Sequence, residues 1–425
     1  MRILHIIQRY WPATGGAELL MAEISERLVA DGHEVTVATS DAWDFELFWR
    51  PTARRFSELE ARHDGVRILR FPVRHLPLSP IAYPGLRRLL WILSLLTPVP
   101  VSVLSRLARW TPWMPDLWRW LRDTDEPFDL VGAMTITFEP LLDAALRFAQ
   151  HRRIPLVLYP LTHLGAGPRP AQDALSRFYT MRHQVDLVRR ADAVVAQTPA
   201  ERDFYAGRGA DPTKLHVVGP GFSPEHVAGG DAARFRACHG LNHAIVFLLT
   251  KMSYDKGVTH TIEAMQHLWA RGSDAHLVLA GDVLEPFRAY YDRLPDQTKA
   301  HIVLLGAVSE EEKCDLLAAG DVMAMPSRTD SFGIIYLEAW AYAKPVIGAR
   351  TWGVMDVIDG GVDGLLVPFG DVPALAEAIA RLLDRPEDAR AMGRAGQAKA
   401  LSKHTWDVKY PQVRDLYLDL VQDRR

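Results

Sequence analysis

The sequence predicts an α/β protein made of two doubly wound domains, each with a parallel sheet between layers of helices. Short apolar runs alternate with longer amphipathic segments, which is typical of parallel strands joined by helices. This alternation occurs in both halves of the chain, and a segment rich in Gly and Pro separates them. A chain of 425 residues also exceeds what a single hydrophobic core usually serves.

Short apolar runs mark the predicted strands, because each is too short to be a buried helix. In the first half they are residues 2–8, 34–40, 66–71, 129–134, 155–161 and 193–198. In the second half they are residues 244–250, 276–282, 301–307, 322–327, 345–350 and 364–368. Residues 217–230 contain several Gly and Pro residues without hydrophobic periodicity, and we interpret them as the linker.

Ligands of open parallel sheets bind beyond the carboxyl ends of the strands. Two such domains facing one another would hold a ligand in the cleft between them, and closure of the cleft would control catalysis. The sequence therefore places the expected site at strand ends and in the loops that follow them.

Composition excludes several classes of protein. The chain is 48% hydrophobic and 24% charged, as ordinary globular proteins are, and a net charge of -3 gives no overall basic field for nucleic acid. Cys238 and Cys314 are too few for a disulfide framework, and we expect both to be buried in a reducing cytoplasm. The polar start resembles no signal peptide and no apolar run reaches about 18 residues, so we expect neither export nor a membrane span.

Two glycines follow the first predicted strand. Gly15 and Gly16 precede a helical pattern, where backbone amides can approach a phosphate at the helix N-terminus. A tight strand-to-helix turn is the alternative, since the pair lacks the G-x-G-x-x-G spacing of a dinucleotide site. Residues 165–170 contain G-x-G without a third glycine, and their two prolines indicate a loop.

Two lysines follow the first strand of the second half. Lys251 and Lys256 lie at the carboxyl end of residues 244–250, where two ammonium groups suit a diphosphate. The alternative is that both are solvated surface residues.

Two carboxylates lie near the end of a later strand. A loop carrying Asp330 leads into a helix predicted to start near Phe332 and to contain Glu338. The helix start would present free amides and a positive dipole end to an anion. Ionised carboxylates also accept strong hydrogen bonds from sugar and ribose hydroxyls. The alternatives are a helix cap for Asp330 and a salt-bridge partner for Glu338.

The run from Asp330 to Glu338 resembles the E-x7-E signature of the retaining GT-B glycosyltransferases of family four, also called glycosyl transferases group 1. Other segments also resemble the corresponding segments of this family: Gly15 and Gly16, residues 251–257 (KMSYDKG), residues 306–313 (GAVSEEEK) and residues 361–368 (GVDGLLVP). The resemblance covers nearly the whole chain. It implies the GT-B fold, in which two Rossmann-like domains face one another across a cleft.

The resemblance also implies the domain bounds. Residues 1–220 would form the acceptor-side domain and residues 221–404 the nucleotide-sugar-binding domain. A helix within residues 405–425 would cross back onto the first domain.

The resemblance assigns residues to the donor site. They are Gly15, Gly16, Lys251, Lys256, Val308, Asp330, Phe332, Gly333, Ile334 and Glu338. Lys251 stands where the family usually has an arginine, and a lysine lacks the bidentate fork. Asp330 stands where the family has a glutamate, and its side chain is one methylene shorter.

Catalytic roles are implied for His163, Asp330 and Lys256. His163 is similar to a histidine on the sugar and acceptor side, although a lone histidine is more often structural. The resemblance implies a retaining front-face reaction in which the leaving diphosphate helps to deprotonate the acceptor, so no catalytic base is assigned. Lysines and helix-start amides would stabilise the diphosphate charge. No cofactor or metal is expected, and the partners are a nucleoside-diphosphate-sugar donor and a glycan or lipid-linked acceptor.

An insertion at residues 74–122 is basic and aromatic. Residues 70–122 contain eight arginines, five tryptophans and a single acid, Asp116. Interfacial segments have this composition, and prolines break any membrane span, so one hypothesis is a peripheral contact at the inner face of the membrane. The other is an internal helical insertion packed on the first domain with its arginines solvated.

Two other functions stay open. A non-hydrolysing sugar-nucleotide epimerase shares the architecture but needs its own acid and base residues, and we identify no such set. A catalytically silent sugar-nucleotide-binding protein would explain aspartate at position 330.

Overall fold

The computed structural model describes residues 1–13 and 15–424, which form two units. The N-terminal unit comprises residues 1–164, 171–219 and the segment from Tyr410 onward. The C-terminal unit comprises Gly165–Pro170 and Pro220–Lys409. Apart from the short segment Gly165–Pro170, the chain passes from the first unit to the second between Gly219 and Pro220 and returns after Lys409.

The N-terminal unit contains an eight-stranded sheet. Its strands are β1 (Arg2–Ile6), β2 (Glu34–Ser40), β3 (Glu60–His63), β4 (Val66–Phe71), β5 (Leu130–Met134), β6 (Leu156–Tyr159), β7 (Ala193–Ala196) and β8 (Leu215–Val217). The order is β3-β4-β2-β1-β5-β6-β7-β8, and β3 alone pairs antiparallel. All six predicted strands are confirmed. The two unpredicted strands, β3 and β8, have four and three residues and no apolar run.

The C-terminal unit contains a six-stranded sheet that is parallel throughout. Its strands are β9 (Ile245–Leu249), β10 (His276–Ala280), β11 (Ile302–Gly306), β12 (Val322–Met325), β13 (Val346–Ala349) and β14 (Gly364–Val367). The order is β11-β10-β9-β12-β13-β14. Val246 and Leu248 belong to one buried cluster and Ile245 and Phe247 to another. Because side chains alternate along a strand, helices cover both faces of the sheet.

Helices connect the strands in both units. They are α1 (Gly16–Ala30), α2 (Ser79–Leu95), α3 (Val101–Ala108), α4 (Pro115–Asp123), α5 (Glu139–Arg152), α6 (Arg182–Arg190), α7 (Pro199–Ala206), α8 (Ala232–His239), α9 (Val258–Ala270), α10 (Glu285–Asp292), α11 (Asp296–Lys299), α12 (Glu310–Ala319), α13 (Ile334–Ala341), α14 (Val372–Asp384), α15 (Pro386–Lys403) and α16 (Trp406–Gln422). None of these helices, within the described residues, is both long enough and apolar enough to span a bilayer.

Helix α16 is anchored in the N-terminal unit by buried hydroxyl groups. The Tyr417 hydroxyl lies 3.1 Å from Nε2 of His5 and accepts a hydrogen bond from the Tyr159 hydroxyl at 3.0 Å. The Tyr410 hydroxyl donates to Asp31 at 2.6 Å. Burial lowers the pKa of His5 to about 3, so the imidazole is neutral in the folded chain. Residues 410–422 therefore complete the first unit although they follow the second in sequence.

The predicted insertion at 74–122 contains α2, α3 and α4, which pack on the N-terminal unit. Leu90, Leu104 and Ala108 form a buried cluster with Met181 at the start of α6. The Arg182 guanidinium donates to the carbonyls of Ser94, Leu96 and Val99 at 2.6 to 2.8 Å. These bonds satisfy carbonyl groups at the end of α2 and in the short segment that connects it to α3.

The arginines of the insertion are not all solvated, and in this respect the packed-insertion hypothesis is wrong. Arg87 is buried and forms an ion pair with Glu139, which His183 also contacts at 3.1 Å. Burial alone would raise the pKa of Glu139, but the charges of Arg87 and His183 hold it below its usual value. A buried charge requires such a partner.

Two smaller predictions need correction. Cys238 is exposed near the end of α8, whereas Cys314 is buried as expected. The helix after the Asp330 loop begins at Ile334 rather than near Phe332, because Gly333 takes a left-handed conformation and precedes it.

Candidate functional site

The central feature of the C-terminal sheet is the strand pair β9 and β12. The chain builds one side of the sheet with β10 and β11 and the other with β12, β13 and β14, so the topology reverses between these two strands. Ligands of open α/β sheets bind at such a switch point, outside the carboxyl ends of the strands. The loops there carry the lysines and carboxylates that the sequence singles out.

Close packing holds the two loops together. Gly257 has φ of +77°, and a Cβ there would lie 2.5 Å from the carbonyl oxygen of Pro326. The Arg328 backbone amide donates to the Asp255 carbonyl at 2.9 Å, and its guanidinium donates to the Asp255 carboxylate at 2.8 Å. The loop after β9 therefore fixes the start of the loop after β12.

The Lys256 ammonium donates to the Asp330 carboxylate at 2.7 Å across the switch point. The two side chains are 22% and 15% exposed, so water screens this ion pair less than a surface pair. Lys251 is different: its ammonium lies 4.0 Å from Asp282, and both side chains are well exposed. The structure thus brings Lys256 and Asp330 together and leaves Lys251 at the solvated rim.

Helix α13 begins at the same loop. Gly333 has φ of +91°, and a Cβ there would lie 2.5 Å from the Tyr336 ring. Phe332 is buried against His404, with ring centroids 5.4 Å apart, and Ile334 opens the helix. The first amide groups of a helix lack intrahelical acceptors and point outward. Phe332, Gly333 and Ile334 therefore lie where a bound anion would meet these amides.

Glu338 lies one turn into α13 and contacts Lys313 of α12. The Lys313 ammonium is 3.5 Å from Glu338 and 2.5 Å from Glu310. Burial raises the pKa of Glu338 and the Lys313 charge partly offsets it. Val308, partly buried, precedes α12 and packs on the core. Sequence reasoning missed Lys313, although it ends the GAVSEEEK segment.

The N-terminal unit holds the remaining predicted site residues. Gly15 and Gly16 lie at the start of α1, after β1, which is flanked by β2 and β5. A Cβ on Gly15 would lie 2.4 Å from the Glu18 carboxylate, whereas a Cβ on Gly16 would meet no heavy atom within 4 Å. Glu18 is buried and accepts a hydrogen bond from Arg9 at 3.0 Å. A carboxylate is therefore already present in the first turn of α1, where an anion is favoured.

His163 and Thr135 follow the carboxyl ends of β6 and β5. The His163 ring stacks on Tyr179 with centroids 4.5 Å apart. Thr135 has φ of +79°, which is unusual for a β-branched residue. Its hydroxyl is buried and has no hydrogen-bond partner among the described residues. Such backbone strain concentrates at functional sites, and no sequence pattern marks it.

One group of potential metal ligands occurs in the described part of the chain. Oxygen and nitrogen atoms of Glu26, His63 and Asp64 lie within 4.8 Å of one another. They belong to the N-terminal unit, whereas Lys256, Asp330 and Glu338 belong to the C-terminal unit.

Two doubly wound units, with charged loops at the switch point of the second, define the class: a two-domain α/β protein of the GT-B fold. Residues 15–221 match the family described as Glycosyl transferase 4-like domain, and residues 232–399 match Glycosyl transferases group 1. These matches together span well over half of the chain, which belongs to the group 1 glycosyltransferases.

Relatives of known name support this assignment. An alpha-D-kanosaminyltransferase of Streptomyces kanamyceticus is 28% identical over 55% of this chain and 62% of its own. A D-inositol 3-phosphate glycosyltransferase of Kineococcus radiotolerans is 28% identical over 96% of this chain and 92% of its own. A GDP-mannose-dependent alpha-(1-6)-phosphatidylinositol monomannoside mannosyltransferase of Mycolicibacterium smegmatis is 30% identical over 53% of this chain and 62% of its own. The first and third matches span less than two thirds of those relatives.

Solved structures share the fold. The Anabaena protein HepE in complex with UDP and glucose has a TM-score of 0.70 at 21% identity, covering 97% of this chain and 98% of that one. Sucrose-phosphate synthase of Thermosynechococcus elongatus has a TM-score of 0.73 at 20% identity, covering 99% of both chains. At 20 to 21% sequence identity, this structural similarity shows a shared fold.

Proposed function

We propose that the protein is a retaining, metal-independent glycosyltransferase that moves a sugar from a nucleoside-diphosphate sugar to a hydroxyl acceptor. The observation that carries the proposal is the ion pair of Lys256 and Asp330 at the switch point, beside the start of α13. A cation and helix-start amides suit a diphosphate, and carboxylates suit sugar and ribose hydroxyls.

Each residue has a distinct role in this proposal. Lys256 and the amides of Phe332, Gly333 and Ile334 stabilise charge on the diphosphate as it leaves. Asp330 accepts hydrogen bonds from the transferred sugar, and Glu338 accepts them from the ribose. The leaving diphosphate takes the proton of the acceptor hydroxyl, so the proposal assigns no base of the chain to this step. For His163, Gly15 and Gly16 the proposal keeps the roles that the family resemblance implies.

Thermal stabilisation by UDP-, GDP-, dTDP- and ADP-sugars tests the donor site. A ligand at 100 times its dissociation constant adds about 2.7 kcal/mol to stability. We expect a shift with one nucleotide family in the wild type that Lys256→Ala and Glu338→Ala abolish. Lys299→Ala is the matched control, because Lys299 ends α11 just before β11, at the amino edge of the sheet. A well-folded protein that none of these nucleotides stabilises would contradict the proposal.

We further propose that the acceptor is lipid-linked, in cell-envelope glycoconjugate synthesis, and that the insertion contacts the membrane surface from the cytoplasm. The relatives that are named for phosphatidylinositol mannoside support this acceptor class. The outer face of the insertion supports the contact, since Leu78, Ile81 and Leu95 are 79%, 75% and 62% exposed. Apolar side chains exposed together mark interaction surfaces.

Vesicle flotation tests this contact. Ile81→Asn combined with Leu95→Asn should reduce the fraction of protein that floats with lipid, because the bilayer no longer buries two apolar side chains. Val362→Asn is the control, since Val362 is 61% exposed but lies in the C-terminal unit. Equal flotation of the three proteins would refute the membrane contact and leave the donor-site proposal unaffected.

A further inference from the structure

A pocket of about 700 Å³ opens on the helical layer of the N-terminal unit. Residues of α3, α4, α5 and the segment between α3 and α4 line it. Its size is that of a small-molecule site. Its lining is unusual, because it combines five arginines with three tryptophans.

The pocket lies away from the carboxyl edge of the sheet. Helix α5 leaves that edge at Glu139, directly after β5, and ends at Arg152 just before β6 begins. The second half of α5 therefore lies toward the amino ends of the strands, and this half supplies Arg147, Phe148 and His151 to the pocket. A ligand here would be separate from one bound at strand carboxyl ends.

Positive charge predominates in the pocket. The five arginines are Arg106, Arg109, Arg119, Arg122 and Arg147. Among the described residues, three carboxylates contact them. Asp143 pairs with Arg109 and Arg147 at 3.5 and 3.0 Å, Asp116 pairs with Arg119 at 2.9 Å, and Asp123 pairs with Arg122 at 2.6 Å. Five guanidinium groups thus exceed their carboxylate partners by two charges. Arg106 has no carboxylate within 4.0 Å in the described chain, and it is exposed.

Aromatic rings hold part of this charge in place. The Arg109 guanidinium lies 4.1 Å from the centre of the Trp118 ring, and its Nε is buried without a hydrogen bond among the described residues. Trp110 and Trp113 lie side by side, with centroids 4.9 Å apart, and Trp110 is 40% exposed. Guanidinium forks match the oxygens of phosphate, and tryptophan rings offer an apolar surface beside a polar one.

We propose that this pocket is a second ligand site that binds a phosphate ester. The guanidinium groups of Arg106 and Arg109 contact the phosphate oxygens, and the tryptophan rings contact the organic part of the ligand. This chemistry is shared by the headgroup of an anionic phospholipid and by a soluble organic phosphate. The proposal does not depend on glycosyl transfer, because the pocket is built entirely within the N-terminal unit.

Binding of the full-length protein to two probes tests the proposal. One probe is glycerol 3-phosphate, measured by calorimetry; the other is vesicles of phosphatidylcholine with phosphatidylglycerol, compared with phosphatidylcholine alone. The test variants are Arg106→Gln and the pair Arg106→Gln with Arg109→Gln. The matched control, Arg390→Gln with Arg394→Gln, removes the same charge from exposed residues of α15.

The pair variant should bind the phosphatidylglycerol vesicles about 30-fold more weakly than the wild type and the control do, since each basic residue at an anionic surface contributes about a factor of five. If the pair variant loses affinity for both glycerol 3-phosphate and the vesicles, the ligand is a soluble phosphate. If it loses affinity for the vesicles alone, the ligand is the lipid headgroup. Because Arg106 is exposed and has no ion pair with any residue that the structure describes, the single variant should fold and show part of the loss of binding. Unchanged binding of both probes by Arg106→Gln and the pair would overturn the proposal, whatever the donor site does.

Discussion

Lys256 and Asp330 meet at 2.7 Å although they are 74 residues apart in the sequence. One follows β9 and the other follows β12, and the pairing of these strands places their carboxyl ends side by side. In the proposed function the Lys256 ammonium serves two anions, since it holds the Asp330 carboxylate and stabilises the donor diphosphate. Under this proposal, the arrangement would couple recognition of the sugar to recognition of the diphosphate.

We expect Lys256→Ala to lower kcat/KM by about 100-fold or more, because removing one preorganised group that stabilises transition-state charge typically costs this much. Lys251→Ala should lower kcat/KM less than tenfold, since Lys251 is exposed and its ammonium lies 4.0 Å from the Asp282 carboxylate. Initial rates of sugar transfer at several donor concentrations measure both. Equal losses in the two variants would contradict the roles we assign.

Asp330→Asn should weaken binding of the nucleotide sugar by about tenfold, because a hydrogen bond to a charged group is lost. Binding of the nucleoside diphosphate without its sugar should change little or improve, because Lys256 is released from the carboxylate. Calorimetry with both ligands makes the comparison. An equal loss of affinity for the nucleotide sugar and for the nucleoside diphosphate would show that Asp330 does not contact the sugar.

Glu338→Gln should reduce the preference for ribonucleotides. The half-buried carboxylate of Glu338 is proposed to accept hydrogen bonds from ribose hydroxyls, and an amide accepts more weakly. Competition between a nucleoside diphosphate and its 2′-deoxy analogue measures the preference. We expect the ratio of dissociation constants to approach one in the variant, whereas an unchanged ratio would place the ribose elsewhere.

Gly257→Ala should destabilise the C-terminal unit and impair donor binding. The new Cβ would lie 2.5 Å from the Pro326 carbonyl oxygen, on a backbone with φ of +77°, so the two loops would have to separate. Strain of this kind costs about 1 to 3 kcal/mol. Gly272→Ala is the control, since Gly272 has φ of +90° but open space around it. Urea unfolding with and without donor should show the larger loss in Gly257→Ala.

Stability should fall as the pH drops below about 6.5, through His5. Burial lowers the pKa of His5 to about 3, so below pH 6.5 the unfolded chain binds a proton that the folded chain does not. The groups that hydrogen-bond this imidazole are the hydroxyls of Ser25 and Tyr417, and neither supplies a compensating charge. Linkage then predicts that the free energy of unfolding falls by about 2 kcal/mol between pH 7 and pH 5.

Denaturant unfolding at the two pH values tests this expectation. In His5→Gln, the amide retains a hydrogen-bonding group but does not titrate, so the variant should show a smaller loss between pH 7 and pH 5. A loss as large as that of the wild type would assign the pH dependence to other residues.

The strand pattern and the resemblance to a family could both be predicted from the sequence. Each of the twelve predicted strands is found, since a buried parallel strand needs a short apolar run that amphipathic helices flank. The strands β3 and β8 escaped prediction because sheet-edge segments of three or four residues need not be apolar. The exposure of Cys238 and the burial of Arg87 could not be predicted either, because burial depends on the elements packed nearby.

The sequence by itself determined the fold class, the family and the types of charged residue available to a donor site. Tertiary structure decided which residues lie together: Lys256 with Asp330, Glu338 with Lys313, and five arginines in one pocket. The physical reason is that periodicity records only local burial, whereas ion pairs and pockets arise from contacts between segments far apart in the chain. Such contacts follow from strand order and helix packing, which a single sequence does not display.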